Sequence, residues 1–375
     1  MIQIIDKHNC AGCTACLFSC PQNAISMMAD EQGFQYPRVD PEKCIDCGLC
    51  DKVCPFNKPL YEPQVRYAYA VKHIDPLVLQ NSTSGGIFTA VSDYVLEQGG
   101  VVYGAVLDAS LVVRHKRAST VEERNQMRGS KYVQSDMGDI FRQVKNDLTA
   151  KRMVLFTGTP CQIAGLRSFL GNHCEGLICL DLICHGVPSP LIYQEHLFFL
   201  AEKLKTKIID YQFRPKKWGW HIHRELVRGE KKMFYSTPYT DLWRGLYYSR
   251  IITRPSCNNC AYSNLKRLGD ITIGDCRGID GILPDFGSYE GVSLAIVNTA
   301  IGQEIFGKIA ASISYEPLNI EDVLQPPLKQ CGQSNKSSEQ FFAIYRNHGY
   351  EKAIMHYWGR LYPLKYYIKK WIKCN

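Results

Sequence analysis

The chain has 375 residues, 45% hydrophobic and 21% charged, with a net charge of +8; that length supports two or three domains with a substantial core, and the composition excludes a disordered chain and a membrane bundle. Seventeen cysteines, behind an N-terminus "MIQIIDKHNC" that has no charged segment followed by an apolar run, predict metal ligation in a reducing, cytoplasmic setting rather than a disulfide framework. Residues 1–60 hold 5 Lys/Arg against 7 Asp/Glu, so the basic excess lies beyond them; no aromatic-basic RNA motif or recognition-helix pattern accompanies it, which argues against a nucleic-acid partner.

The first elements are two copies of CxxCxxCxxxCP, "CAGCTACLFSCP" at 10–21 and "CIDCGLCDKVCP" at 44–55. Three soft thiolates two residues apart wrap one corner of an iron-sulfur cubane, and the cysteine before proline reaches the other cluster. One predicted set is therefore Cys10, Cys13, Cys16 and Cys54, and the second Cys44, Cys47, Cys50 and Cys20. Zinc knuckles also use CxxC pairs, but four cysteines per repeat, with proline trailing both times, follow the cluster rule. Residues 4–58 resemble a bacterial-type two-cluster ferredoxin, and a domain over 1–60 is expected. Such a module passes single electrons and does no substrate chemistry, so it requires a donor and an acceptor.

After a Pro-rich linker, "PFNKPLYEPQ", the pattern changes. "NSTSGGIFTAVSDYVLEQGG" reads as a capped helix closed by Gly99 and Gly100, and "VVYGAVL" as a buried strand. "DMGDIFRQVKNDLTA" is an amphipathic helix leading into the strand "RMVLFTG"; "GLICLDLIC" and "VSLAIVNTA" are further apolar strands, and "GQEIFGKIAA" a helix. Strands alternating with helices predict a mixed α/β body, α+β in class when joined to the ferredoxin-type domain; strand order does not follow from the pattern. No GxGxxG or GxxxxGK[ST] occurs, which argues against Rossmann and P-loop sites. The body carries a second, scattered set of cysteines: Cys161, Cys184, Cys257 and Cys260, with Cys174, Cys179 and Cys276 nearby. Cys179 and Cys184, five apart on one presumed strand, would face opposite ways. On spacing alone a third cluster, a zinc site and buried thiols all stay open.

"NSTSGG", "GSKYVQS", "TPCQIAGLR", "LICHGVPSP", "CNNCAY" and "GDITIGDCRGI", in this order, resemble the family of beta subunits of coenzyme F420 hydrogenases and dehydrogenases over residues 64–325. The resemblance implies a 4Fe-4S cluster held by Cys161, Cys184, Cys257 and Cys260 beside FAD, and hence a flavin-binding body. Ser82, Thr83 and Ser84 precede a helix, with Gly85 and Gly86 in its first turn, and the free N–H groups there favour an anion; taken alone they are an ordinary N-cap. Arg128, Gly129, Ser130 and Lys131 form a turn with two cations suited to a pyrophosphate or the flavin N1 region, and alone are a solvated loop. His185, next to Cys184, is a candidate acid near the flavin or a hydrogen-bond donor to cluster sulfur. "FRPKKWGWHIHRE" at 213–225 reads as a wall for an anionic substrate, with His221 and His223 on one strand face but no third metal ligand. The tail beyond 325 forms a helical extension over 326–375; its basic amphipathic end, "YPLKYYIKKWIKCN", suits either a membrane surface or packing on the body. The expected function is that of an iron-sulfur flavoprotein oxidoreductase linking a soluble electron donor or acceptor protein to a small-molecule substrate. Its rivals are a non-catalytic relay subunit and a zinc-rich interaction protein.

Overall fold

The computed structural model describes residues 1–57, 66–171, 173–237, 241–287, 289–333 and 335–358. The cysteine repeats enclose an antiparallel hairpin, β1 (Ile25–Ala29) and β2 (Gln35–Val39), whose turn is held by the Asp30 carboxylate accepting from the Gln32 and Phe34 N–H groups. The two cysteine loops fold alike. Gly12 and Thr14 have φ of 68° and 71°, their counterparts Asp46 and Gly48 have 48° and 71°, and each loop enters a short helix, Ala15–Ser19 or Leu49–Lys52. Left-handed residues alternating with ordinary ones turn successive N–H groups to one concave side, a nest of the kind that holds iron-sulfur groups. Thr14 keeps this conformation despite its β-branch, which disfavours it.

The body contains β3 (Tyr67–His73), β4 (Val101–Leu107), β5 (Val113–Ala118), β6 (Val154–Gly158) and β7 (Leu177–Leu182). A small sheet of β8 (Ile208–Gln212), β9 (Leu226–Gly229) and β10 (Met233–Tyr235) follows, and then β11 (Ile271–Asp275), β12 (Ser293–Val297) and β13 (Ile313–Leu318). The main sheet has eight strands in the order β13-β3-β12-β11-β7-β6-β4-β5. Neighbours among β4, β6, β7 and β11 run parallel, and both flanks are antiparallel. The parallel strands are covered on both faces, so they read as continuous apolar runs. Val154 and Phe156 of β6 pack toward the helices Ile140–Thr149 and Pro160–Leu170, whereas Leu155 faces Ile87–Glu97 and Ala300–Ile309. Each strand and helix expected from sequence overlaps one of these elements, with its ends shifted. The expected strands are β4, β6, β7 and the antiparallel β12; β3, β5, β11 and β13, and the small sheet, are not among them.

Ala15 and Cys16 share one apolar cluster with Phe141, Ile163 and Leu166, which joins the ferredoxin-type segment to the body. The hairpin tip presses on the helix Pro190–Leu204: a Cβ on Gly33 would stand 2.2 Å from Leu191 Cβ. Phe341, Phe342, Tyr350 and Ile354 of the helix Ser337–Trp358 pack with Leu197 and Trp243. No described helix is long and apolar enough to cross a membrane. The basic tail end, residues 362–375, and residues 58–65 of the linker lie outside the described residues.

Candidate functional site

A cavity of about 300 Å³ opens at the C-terminal ends of the parallel strands, lined by residues 157–159 at the end of β6, 182–187 at and beyond the end of β7 and 273–275 of β11. Open α/β sheets bind ligands at this edge, because loops diverge there and leave a crevice.

Three groups of thiols are assembled among the described residues, and one of them reaches this cavity through Cys184. The Cys13 thiol is raised well above its usual range by burial, with the neighbouring Cys16, Cys10 and Cys54 pushing the same way; Cys54, from the second repeat, thus stands among three cysteines of the first. Cys20 lines a small cavity together with Cys44, Cys47 and Cys50, again across the repeats. In the body, burial and then the nearby Cys260 and Cys184 push the Cys161 thiol up to about 12. Burial and then Cys161 and Cys260 do the same to Cys257, likewise to about 12. Four such thiols repel one another as thiolates, and a cationic iron centre inverts that penalty. Cys179 is fully buried in the core under the sheet, while Cys184 lies past the end of β7 in the cavity wall; the presumed strand does not extend to it. Cys276 is fully buried among apolar side chains. Among the described residues no three His, Cys, Asp or Glu side chains close tightly enough to hold a single metal ion.

N–H groups meet these sulfurs: Ile2 on Cys50 at 3.3 Å, Ala24 on Cys20 at 3.3 Å, Gly12 on Cys10 at 3.4 Å and Gly186 on Cys184 at 3.4 Å. Such bonds stabilise thiolate and tune cluster potential. Arg250 ties the two body loops together, donating to the carbonyls of His185 and Cys257 and to Asn258 Oδ1.

The expected flavin residues line the same cavity, with differences. Ser84, Gly86, Gly129, Ser130 and Lys131 line it and Gly85 does not. A Cβ on Gly85 would stand 2.0 Å from the Val71 carbonyl and 2.5 Å from Ser293 N, so this glycine serves close approach to β3 and β12 rather than to a ligand. Gly86 (φ 87°) is the N-cap of the helix Ile87–Glu97. The Ser84 hydroxyl donates to the Val292 carbonyl at 2.7 Å. Lys131 Nζ donates to the carbonyls of Gln126, Met127 and Arg128 at 2.9–3.0 Å; burial pulls its pKa down to about 7, against the three acceptors, and its ammonium is committed to this turn. Arg128 is the cation left for a ligand: it lines the cavity and its Nε is buried without a hydrogen-bond partner. A bound phosphate would satisfy that orphan, so the residues present fit an FAD pyrophosphate.

His185 lines the cavity beside Cys184, and burial lowers its pKa to about 4, which favours the neutral imidazole with one ring N–H to donate. His221 and His223 are not on a strand. His223 faces the cavity and pairs with the Tyr248 hydroxyl at 2.8 Å, while His221 lies 3.7 Å from Asp280. Gly219 (φ 96°) lies in the connection between β8 and β9 that carries both histidines. Arg214 of the expected anion wall is buried against Asp275 at 2.7 Å. Sequence reasoning passed over Arg254 and Gly165. Their signals were an arginine three residues before "CNNC" and a glycine inside a helical run.

Comparison with known proteins adds the lineage. Residues 9–58 match the 4Fe-4S dicluster domain, and residues 151–322 match the C terminus of the coenzyme F420 hydrogenase/dehydrogenase beta subunit. The chain is 26% identical over 345 residues to the coenzyme F420-dependent sulfite reductase of Methanocaldococcus jannaschii, covering 86% of this chain and 48% of that protein. It is 21% identical over 381 residues to a subunit of the F(420)H(2) dehydrogenase of Methanosarcina mazei, covering 94% and 97%. The beta subunit of the coenzyme F420 hydrogenase of Methanosarcina barkeri is 23% identical over 261 residues, with 68% and 82% covered. The chain thus spans about half the length of the sulfite reductase and nearly all of the dehydrogenase subunit. Residues 9–58 therefore belong to the 4Fe-4S dicluster domains, and residues 151–322 to the family formed by the C-terminal part of coenzyme F420 hydrogenase/dehydrogenase beta subunits.

Proposed function

We propose that this chain is an iron-sulfur flavoprotein that moves electrons between a soluble protein, three 4Fe-4S clusters, FAD and a small molecule bound in the cavity. The assignment uses a ferredoxin-type domain over 1–60, a flavin and cluster body over 64–325 and a helical extension over 326–375. The observation that carries it is the shared wall: Cys184 of the body thiol group lines the same cavity as Gly86, Arg128 and Gly129. When bound, FAD would supply the exchange between one-electron clusters and a two-electron substrate. The chain's own part is to hold and orient. Arg128 and the N-terminus of the helix Ile87–Glu97 grip the phosphates, Arg277, Tyr248 and His223 line the substrate side, and Tyr132, stacked on Tyr247 at 4.7 Å, limits water. Neutral His185 orients by hydrogen bonding. The relatives named for coenzyme F420 favour an F420-like cofactor as the small molecule.

Two of these relatives are named as subunits, which favours a second reading, a relay inside a larger complex. Anaerobic purification followed by iron and flavin analysis tests the cofactor content; about 12 iron atoms per chain are expected, four for each of three cubanes, with FAD released on denaturation. Eight iron atoms, unchanged in a Cys257→Ser/Cys260→Ser variant, would remove the body cluster. Turnover of the isolated chain with a reduced viologen dye and F420 separates enzyme from relay.

A further inference from the structure

Arg254 enters from the body three residues before Cys257 and is fully buried. Its Nε donates to the Cys10 carbonyl at 2.7 Å, Nη1 to Gln134 Oε1 at 3.0 Å and Nη2 to the Gln35 carbonyl at 2.9 Å, and Nη2 stands 3.7 Å from Cys10 Sγ. The Tyr36 and Phe34 rings lie against it at 4.4 and 5.4 Å. A Cβ on Gly12 would stand 3.0 Å from Nη1, so the first cysteine loop closes directly over the guanidinium. No carboxylate among the described residues pairs with it; every acceptor named is neutral apart from the sulfur. A buried cation without an anion is strongly disfavoured. The anionic group this geometry awaits is a cluster with four thiolates at Cys10, Cys13, Cys16 and Cys54. Arg254 also lies within electrostatic reach of Cys161, whose thiolate it favours.

We infer that Arg254 is a positioning residue that raises the reduction potential of the Cys10/Cys13/Cys16/Cys54 cluster and so draws electrons to it from its partner cluster. The inference rests on the cluster assignment proposed above. A fixed positive charge stabilises the more negative, reduced cluster, so this cluster should sit higher in potential than its partner on Cys20, Cys44, Cys47 and Cys50, beside which the Met1 ammonium is exposed and already paired with Asp46 and Asp51. An electron entering at the partner cluster, where Cys47 is exposed, then runs inward.

The test is an anaerobic redox titration of the cluster-loaded full chain, followed by electron paramagnetic resonance, with the inner signal assigned by its loss in Cys13→Ser. In Arg254→Gln the inner cluster should become about tenfold harder to reduce, a shift of about 59 mV to more negative potential for one electron, while the outer cluster stays in place. Arg254→Lys keeps the charge and should hold the inner potential near that of the unaltered protein. Loss of inner-cluster iron in the Gln variant, with retention in the Lys variant, is the same result in stronger form. An unmoved inner potential in Arg254→Gln, or equal loss or equal shift in both variants, overturns the inference. Cubanes present with an unmoved potential defeat only this inference, whereas an unaltered protein without cubane iron defeats the functional reading and this one together.

Discussion

Gly165 tests how the ferredoxin-type segment meets the body. It sits in the middle of the helix Pro160–Leu170, which carries Cys161 in its first turn. Cys161 and Gly165 are four residues apart and share one helix face, about 6 Å along the axis. A Cβ on Gly165 would stand 2.7 Å from both Cβ and Sγ of Cys13. Replacing an unconstrained mid-helix glycine by alanine stabilises a helix by about 1 kcal/mol. Here the added methyl must displace a sulfur that is tethered on one side by its loop and on the other by its cluster, and overpacking of this kind costs about 1–3 kcal/mol. The net expectation for Gly165→Ala is zero to about 2 kcal/mol of destabilisation. Gly307, inside the helix Ala300–Ile309, has nothing within 4 Å of its would-be Cβ, and Gly307→Ala should gain about 1 kcal/mol. Thermal unfolding of the anaerobic protein, with iron counted in parallel, should place the Gly307→Ala midpoint above the unaltered protein and the Gly165→Ala midpoint at or below it, with inner-cluster iron reduced. If Gly165→Ala matched Gly307→Ala in midpoint and kept all its iron, the close contact between Cys13 and the Cys161 helix would be wrong.

Cys20→Ser should weaken the cluster of Cys44, Cys47 and Cys50 rather than that of its own repeat, seen as loss of one paramagnetic signal while flavin stays reducible by dithionite; loss of the Cys10 signal instead would reverse the crossed pairing. Arg128→Gln should lower FAD occupancy in the purified protein, because Arg128 alone of the two cations in its turn has an unused donor; full occupancy would move the phosphates elsewhere. His115 is buried, its Nε2–H donating to the Thr157 carbonyl at 3.0 Å and its Nδ1 accepting from the Ser135 hydroxyl at 2.8 Å, and burial lowers its pKa to about 4. The unfolded imidazole takes up its proton first as pH falls, so the stability it contributes is complete above about pH 6.5 and lost toward pH 4, amounting to about 2 kcal/mol between pH 7 and pH 5. His115→Gln should flatten that slope in denaturant titrations, and an unchanged slope would refute the assignment.

The cysteine spacing carried most of the chemistry. A cluster-binding loop is a local device: three thiols within seven residues and a fixed run of backbone conformations suffice, so the repeat at residues 10–21 and 44–55 declared itself without any tertiary information, as did the apolar runs of β4, β6 and β7, which are buried on both faces. What sequence left open depended on residues that meet across long chain separations. Cys161, Cys184, Cys257 and Cys260 come together only because the segment around 255–260 passes the edge of the sheet at which β6 and β7 end. The flavin turn illustrates the same limit: "NSTSGG" and "GSKY" both reached the cavity, but packing decided that Gly85 faces β3 and β12 and that Lys131 caps carbonyls, leaving Arg128 with the free donor. Arg254 and Gly165 were invisible for the strongest version of this reason. Each matters through a partner more than 120 residues away, Cys10 for one and Cys13 for the other, and no periodicity or spacing encodes which buried surface of a second domain will close over a given side chain.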